Sequence, residues 1–338
     1  MKIKNTGKIK KILLWIGIIL ILLTVGAIVN YRVVLDKYFD ASEAKYDLPD
    51  MSKGFIPQGI TYDAGSAHIF ITGYMSNGKP SPIYGINTAT GKTDCKILMN
   101  TPDGEKFHGH AGGLSIYKDT LYIAGSTDAC VYGFGISKVL DAGQSSGQGG
   151  SQSAGPSGAF VNADSMVSLK SANDHIRVSF TSSEEGLLYA GEFHNDPLFK
   201  TAESHNISTA DGMQKGLLFG FTIDDNGNAV PVKAYSIPDN IQGACFYDHY
   251  LFLSHSNGFK PSEIYAYDLD KISSSGNLNV LEKDVPLYVL NTSAAIKITT
   301  VPPMSEEIVV INDHLYILHE SASNRLRISS WRCLIISA

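Results

Sequence analysis

The chain has 338 residues and a net charge of -6, from 27 Lys+Arg against 33 Asp+Glu. That balance implies no domain-scale basic surface and excludes nucleic acid as a partner. The 32 glycines and 17 tyrosines recur in short β-like runs. At the N-terminus, Lys2, Lys4, Lys8, Lys10 and Lys11 precede "ILLWIGIILILLTVGAIV" (12–29). This uncharged run is long enough to cross a bilayer, which takes about 17–25 residues. Residues 1–11 then form a basic cytoplasmic tail, 12–29 a single-pass membrane anchor, and the bulk of the chain is extracytoplasmic. A cleaved signal peptide would carry a shorter apolar run and a small-x-small site, and "VGAIVNYR" is a poor one. Residues 30–44 read as a stalk.

Next comes a repeat. "PQGITYDAGSAHIFITGY" (57–74), "HAGGLSIYKDTLYIAGS" (110–126) and "IRVSFTSSEEGLLYAGEF" (176–193) each read as strand, polar turn, strand. So do "IQGACFYDHYLFLSHS" (241–256) and "EEIVVINDHLYILHES" (306–321). Alternating β-branched and aromatic runs around a turn are a hairpin signature. Third strands follow at "IYGINTATG" (83–91), "VYGFGIS" (131–137), "LFGFTIDDNG" (218–227) and "IYAYDLD" (264–270). Fourth strands are read at "CKILMN" (95–100), "VKAYSIPD" (232–239) and "PLYVLN" (286–291). The fold class is therefore all-β: a β-propeller of four-stranded antiparallel blades behind one N-terminal transmembrane helix, the unit recurring about every 50–65 residues.

The count favours five blades, or six if a divergent unit hides in 194–215, the one gap long enough. That gap lacks strand patterning and reads as a loop. Residues 45–48 have no blade before them, so they read as the outer strand of the last blade, closing a propeller over 45–338. Residues 141–157 are low-complexity Gly/Ser/Gln and read as a flexible excursion between the third and fourth strands of the second blade. The C-terminal "RISSWRCLIISA" (327–338) is a poor strand pair and suggests an irregular last blade or an incomplete chain. None of Cys95, Cys130, Cys245 and Cys333 forms a C-x-x-C pair, which argues against a zinc knuckle or thioredoxin site. An extracytoplasmic compartment would allow a Cys95–Cys130 bridge, and Cys245 reads as a packed thiol.

In a propeller the first strands line a central channel. Their starting ends open on the same face as the far ends of the second strands. From the first-strand starts come Gln58, His108, His110, Arg177, Gln242, Glu306 and Glu307. The second-strand ends bring Glu192, His194, His255 and Glu320, with Tyr74, Asp128 and His319 beside them. Such convergent polar groups suit a ligand pocket. His108 and His110 alternate in "KFHGHAGGLSIY" (106–117), which puts both on one strand face, short of the third ligand a zinc site needs. Adjacent Glu306 and Glu307 at a channel rim call for a partner, and Arg177 is the cation available. No cofactor is predicted, apart from a divalent cation such as calcium, for which Glu192, Glu306, Glu307 and Glu320 could supply oxygens. The rival reading makes Gln58 and Gln242 inter-blade hydrogen-bonding devices and the adjacent acids a structural pair.

The blade pattern "PQGI", "LYIAG" (121–125) and "IYGINTATGK" (83–92) resembles extracytoplasmic propellers of the YncE-like and strictosidine synthase/gluconolactonase-like groups, over nearly all of 45–338. The resemblance is to a blade grammar and implies the fold. In the lactonase-like group acidic and amide side chains hold a channel metal, and Glu306, Glu307, Gln58 and Gln242 are the counterparts here. No full motif is matched, so no activity is carried over. Two functions follow as expectations. The first is a membrane-anchored domain that binds a small molecule, glycan or protein at its polar channel face, as a receptor or scaffold. The alternative is a metal-assisted hydrolase or lactonase with its acids at the channel mouth.

Overall fold

The structure, a computed structural model, describes residues 6–126, 128–145, 158–320 and 327–332. The chain divides into two compact units, Met1–Ala41 and Ser42–Ala338.

The first unit holds α1 (Thr6–Val34) and α2 (Asp36–Ala41). Within α1, Lys10–Val34 has a mean hydropathy of 3.0 over its most apolar window, none of it buried. At 1.5 Å per residue that stretch is long enough for the ~30 Å hydrocarbon core of a bilayer. It fits a signal anchor. The helix outruns the expected span of 12–29, because residues 30–34 keep the same unbroken backbone ladder.

The second unit begins with β1 (Ser42–Asp47), three residues inside the expected stalk. A first sheet follows: β2 (Phe55–Asp63), β3 (His68–Met75), β4 (Pro82–Asn87) and β5 (Lys92–Asn100). The second starts with β6 (Leu114–Tyr117), β7 (Thr120–Ala124) and β8 (Cys130–Gly135), then runs through α3 (Ile136–Ser145), β9 (Ala159–Asn162) and β10 (Ser165–Ser168). Next come β11 (Val178–Glu184), β12 (Leu187–Glu192), the short pair β13 (Ile207–Thr209) and β14 (Gly212–Gln214), β15 (Gly216–Ile223) and β16 (Ala229–Ile237). The fourth group is β17 (Ile241–Tyr247), β18 (Tyr250–His255), β19 (Ser262–Asp268), β20 (Ser274–Val280), β21 (Lys283–Val289) and β22 (Lys297–Val301). Last are β23 (Ser305–Ile311), β24 (His314–His319) and β25 (Arg327–Arg332).

Five of the sheets formed by these strands have four or more members. Their inner strands touch in cyclic order, β2 to β6 to β11 to β17 to β23 and back to β2. That closed order is a propeller, and each sheet is a blade. Apolar faces of successive blades pack together; Phe70, Ile83 and Ile97 of the first blade meet Leu114, Leu121 and Phe134 of the second. The last blade runs β23–β24–β25–β1, with Ser42 opposite Trp331 and Asp47 opposite Arg327. The N-terminal strand thus completes the sheet that the C-terminal strands begin; 327–332 pairs in unbroken register with β24, and its ladder to β1 is bulged between Ala44 and Tyr46. Residues 333–338, with Cys333, lie outside the described residues.

Three expectations change. "PLYVLN" does not complete the fourth blade. Its strand β21 pairs in parallel with β16 on the third blade, and β22 takes the fourth place beside β19. The second blade does the same to the first: β9 pairs in parallel with β5 before β10 returns to β8. In both cases the excursion between third and fourth strands caps the open edge of the preceding blade, as exposed edges favour. The excursion expected at 141–157 is helical through Ser145, because Val139 is buried against the first two blades; 146–157 lie outside the described residues. Within 194–215, expected to be loop, β13 and β14 form a small hairpin.

Cys95 and Cys130 are free and buried, and Cys245 is buried. No bridge joins Cys95 to Cys130, and the Cys95 thiol lies 3.4 Å from the Val139 carbonyl oxygen. Burial, helped by Asp94, pushes it up to about 12, so it is an inert packed thiol.

The inner strands share a device that sets up the channel. Ladder register shifts between Pro57 and Gly59, Val178 and Phe180, Ile241 and Gly243, and Ser305 and Ile308. A β-bulge re-aims side chains, and these sites free Gln58, Ser179, Gln242 and Glu306 to face the channel mouth. Blades crowd closely beside them. A methyl group on Gly113 would stand 2.3 Å from Glu307 Oε1 and 2.5 Å from Phe180 Cα. Gly113→Ala is therefore expected to destabilise the fold by about 1–3 kcal/mol, the usual cost of overpacking. Urea denaturation against wild type measures it, and an unchanged midpoint would contradict the packing.

Candidate functional site

One cavity of about 320 Å³ occupies the channel mouth. Gln58 and Tyr74 of the first blade line it, with His110, Gly112, Gly113 and Ser126 of the second. Arg177, Ser179, Phe193 and Phe199 come from the third blade and its insertion, Gln242 from the fourth, and Glu306 and Glu320 from the last. Six of the eleven ligand candidates taken from the strand ends therefore meet there, Gln58, His110, Arg177, Gln242, Glu306 and Glu320, together with Tyr74.

Glu306 is the most unusual of them. It is only 4% exposed, and among the described residues no group donates a hydrogen bond to its carboxyl and no cation pairs with it. Burial, then the charges of Glu320 and Glu307, raise its pKa well above the ordinary carboxylate value. Glu320 accepts a hydrogen bond from the Gln58 amide nitrogen. After burial, Glu320 and Glu306 raise the pKa of the Tyr74 phenol. The His110 ring, exposed overall, lies against Tyr74 with centroids 4.4 Å apart, and desolvation on that side lowers its pKa. On the far wall the Arg177 guanidinium sits 5.0 Å from the Phe199 ring centre and donates to the Lys200 carbonyl at 3.4 Å. Phe193 and Phe199 meet edge to face at 5.5 Å.

The other five residues do different work. Glu307 follows Glu306 in the bulge but turns inward, where its Oε2 accepts the Leu114 amide at 2.6 Å and the Ile60 amide at 2.9 Å. It joins three blades and belongs to the inner channel, so it takes no part in the cavity and has no pairing with Arg177. Glu192 is fully buried; its oxygens accept the Arg177 amide at 3.0 Å and the Leu217 amide at 3.3 Å. His194 Nδ1 lies 2.9 Å from Thr201 Oγ1, outside the cavity. His255 stacks on Tyr265 at 5.2 Å. His108 is exposed, its Nδ1 3.0 Å from the Gly78 carbonyl. The two histidines of "KFHGH" precede β6 and do not share a strand face, because the β6 ladder starts only at Leu114.

These positions bear on a channel metal. Of the four donors implied by the lactonase-like resemblance, Glu307 spends an oxygen on backbone amides facing the other way, and the remaining three do not make that set. Among the described residues, the group of three His/Cys/Asp/Glu ligand atoms within 4.8 Å of one another is His249, Asp268 and Asp270, away from this cavity. The donors at the mouth do not make up the implied metal set.

No protein-family model and no curated protein matches the chain. Among solved structures, the PQQ-bound aldose sugar dehydrogenase of Streptomyces coelicolor is similar at 13% identity, over 86% of this chain and 96% of that one, with a TM-score of 0.45. Glutaminyl cyclase of Myxococcus xanthus is similar at 10% identity over 86% and 94%, with a TM-score of 0.44. BamB of Moraxella catarrhalis gives 9%, 82% and 85%, and 0.35. At such identities and scores nothing about activity transfers.

Sequence reasoning missed Phe193, Phe199, Ser126 and Ser179 as cavity walls. Ser179 could have been found as the third-blade cognate of Gln58 and Gln242. Phe199 sits in the insertion, where no periodicity marks it. The insertion itself is fixed by His205, which is fully buried between Glu192 and Asp174, Nδ1 to Glu192 at 2.8 Å and Nε2 to Asp174 at 3.0 Å. Burial alone would lower the imidazole, but Asp174 and Glu192 outweigh it and raise the pKa to about 9. His205 is therefore an imidazolium at neutral pH, holding the segment that carries Phe199.

Proposed function

We propose that this chain is a ligand-binding propeller, held at a membrane by its N-terminal helix, with the channel-mouth cavity as its binding site. Glu306 carries the reading. A buried polar group without a partner is costly, and this one opens into a cavity ringed by two amides, a second acid and aromatic walls. A ligand with a hydrogen-bond donor would satisfy it. The lysines at positions 2–11 support placing the propeller on the extracytoplasmic side. The binding reading is preferred to the metal-assisted hydrolase because Oε2 of Glu307 is committed to the Leu114 and Ile60 amides. The finer YncE-like or lactonase-like assignment rests on blade grammar alone.

A thermal-shift screen of polar small molecules on the full chain in detergent tests this. A ligand at about 100 times its Kd stabilises by about 2.7 kcal/mol, a readable rise in Tm. Hits are expected to raise the Tm of wild type but not of Glu306→Gln, and unliganded Glu306→Gln is expected to melt no lower than wild type, since a neutral amide replaces a buried acid. Hits that stabilise both proteins equally would place binding elsewhere.

A further inference from the structure

The cavity's charges are segregated, and the segregation narrows the ligand class. Both acids, Glu306 and Glu320, come from the last blade, and Gln58 and Tyr74 from the first blade adjoin them. Among the described residues, the one cation lining the cavity, Arg177, comes from the third blade together with Phe193 and Phe199. In the cyclic order of inner strands the third blade's neighbours are the second and the fourth, so its wall is not adjacent to the walls of the first and last blades. The acidic wall and the Arg177 wall therefore face each other across the channel.

Resting on the binding-site reading above, we propose that the ligand is a zwitterion of single amino-acid size, an α-amino acid with an apolar side chain. Its ammonium group would meet Glu306 and Glu320, its carboxylate Arg177, and its side chain the rings of Phe193 and Phe199. Each headgroup answers a specific feature. Glu306 is nine-tenths buried, aimed into the cavity and unpartnered among the described residues. The Arg177 guanidinium spends one hydrogen bond on the Lys200 carbonyl, and its planar fork suits a carboxylate. A bare cation would face Arg177 unpaired, and a bare anion would face two acids; each leaves a charge uncompensated in a confined site. The volume, about 320 Å³, lies at the small end of the ~300–1,000 Å³ typical of small-molecule sites.

Isothermal titration of the full chain in detergent with L-phenylalanine, L-leucine, phenethylamine, 3-phenylpropionate and D-glucose provides the test. L-Phenylalanine is expected to bind at least about tenfold tighter than phenethylamine or 3-phenylpropionate, which each keep one of its charged groups. Arg177→Met is expected to erase the preference over phenethylamine, and Glu306→Gln the preference over 3-phenylpropionate. Retained Tm values, and retained affinity for the half-ligand each variant spares, show that both variants are folded. Phenethylamine binding as tightly as L-phenylalanine to wild type would overturn the zwitterion. So would D-glucose binding that depends on Glu306 while the amino acids do not bind, an outcome that leaves the binding site standing. No binding by any probe overturns the zwitterion; the wider screen with Glu306→Gln then decides the site by itself.

Discussion

Replacing His205 with alanine is expected to destabilise the propeller by about 3–5 kcal/mol, the usual result of removing one partner from a buried ion group. His205 stands between Glu192 and Asp174, all three buried or nearly so. Without the imidazolium, two carboxylates face each other across the vacated space. Asp174 shows how much the arrangement favours charge: burial works to raise its pKa, yet His205 and the Leu281 and His175 amides hold it at about 2. The pH dependence has a definite sign. The folded pKa of His205 is raised from 6.5 to about 9. Its contribution to stability is thus complete below about pH 6.5 and is lost as pH rises through about 9. Wild type should lose stability over that window, and His205→Gln should lack that component of the loss. Urea unfolding of the full chain at a series of pH values measures both. Equal alkaline sensitivity in wild type and variant would contradict a charged His205. Because His205 anchors the insertion carrying Phe199, His205→Ala is also expected to weaken ligand binding at the channel mouth.

The second large effect belongs to Glu307. Glu307→Ala leaves the Leu114 and Ile60 amides buried without an acceptor, at about 1–3 kcal/mol each. A total of roughly 2–6 kcal/mol is expected, with the loss felt in the first, second and last blades at once. Glu307→Gln keeps a carbonyl acceptor in place and should cost far less. Burial raises the Glu307 pKa well above its ordinary value, against the Leu114, Ile60 and Thr181 amides. A raised carboxyl favours the folded state at low pH and favours it less as pH rises above the unfolded value. The advantage of Glu307→Gln over wild type should therefore grow with pH. Thermal denaturation of the three proteins at two pH values is sufficient. A Glu307→Ala protein as stable as Glu307→Gln would show that the amides find another acceptor.

The hairpins and third strands were legible because alternation and turn residues are local signals. Ring closure was legible because residues 45–48 had strand character and no blade before them. The excursions that cap blade edges were not. "PLYVLN" has the strand pattern, but whether it lies beside β19 or β16 depends on packing between blades, which alternation does not encode. Adding β9 to β5 likewise needs a parallel pairing across two blades. The site was legible as a set of cognate positions, Gln58, Gln242 and Glu306, since bulges recur at equivalent places. Which of two adjacent glutamates faces the cavity is decided by the bulge between Ser305 and Ile308, whose geometry the letters "SEEI" do not reveal. His205 and Phe199 lay in a stretch without periodicity, where long-range ion pairing fixes the one and ring packing the other.

The most direct measurement of the central claim is a crystal structure of the chain bound to the tightest small molecule from the screen. Electron density for the ligand should fill the channel mouth, with a donor of the ligand within hydrogen-bonding distance of the Glu306 carboxyl. A ligand seated against Glu184, Lys233 and His249, in the pocket of about 390 Å³ that these residues line, with the channel mouth holding only water, would contradict it.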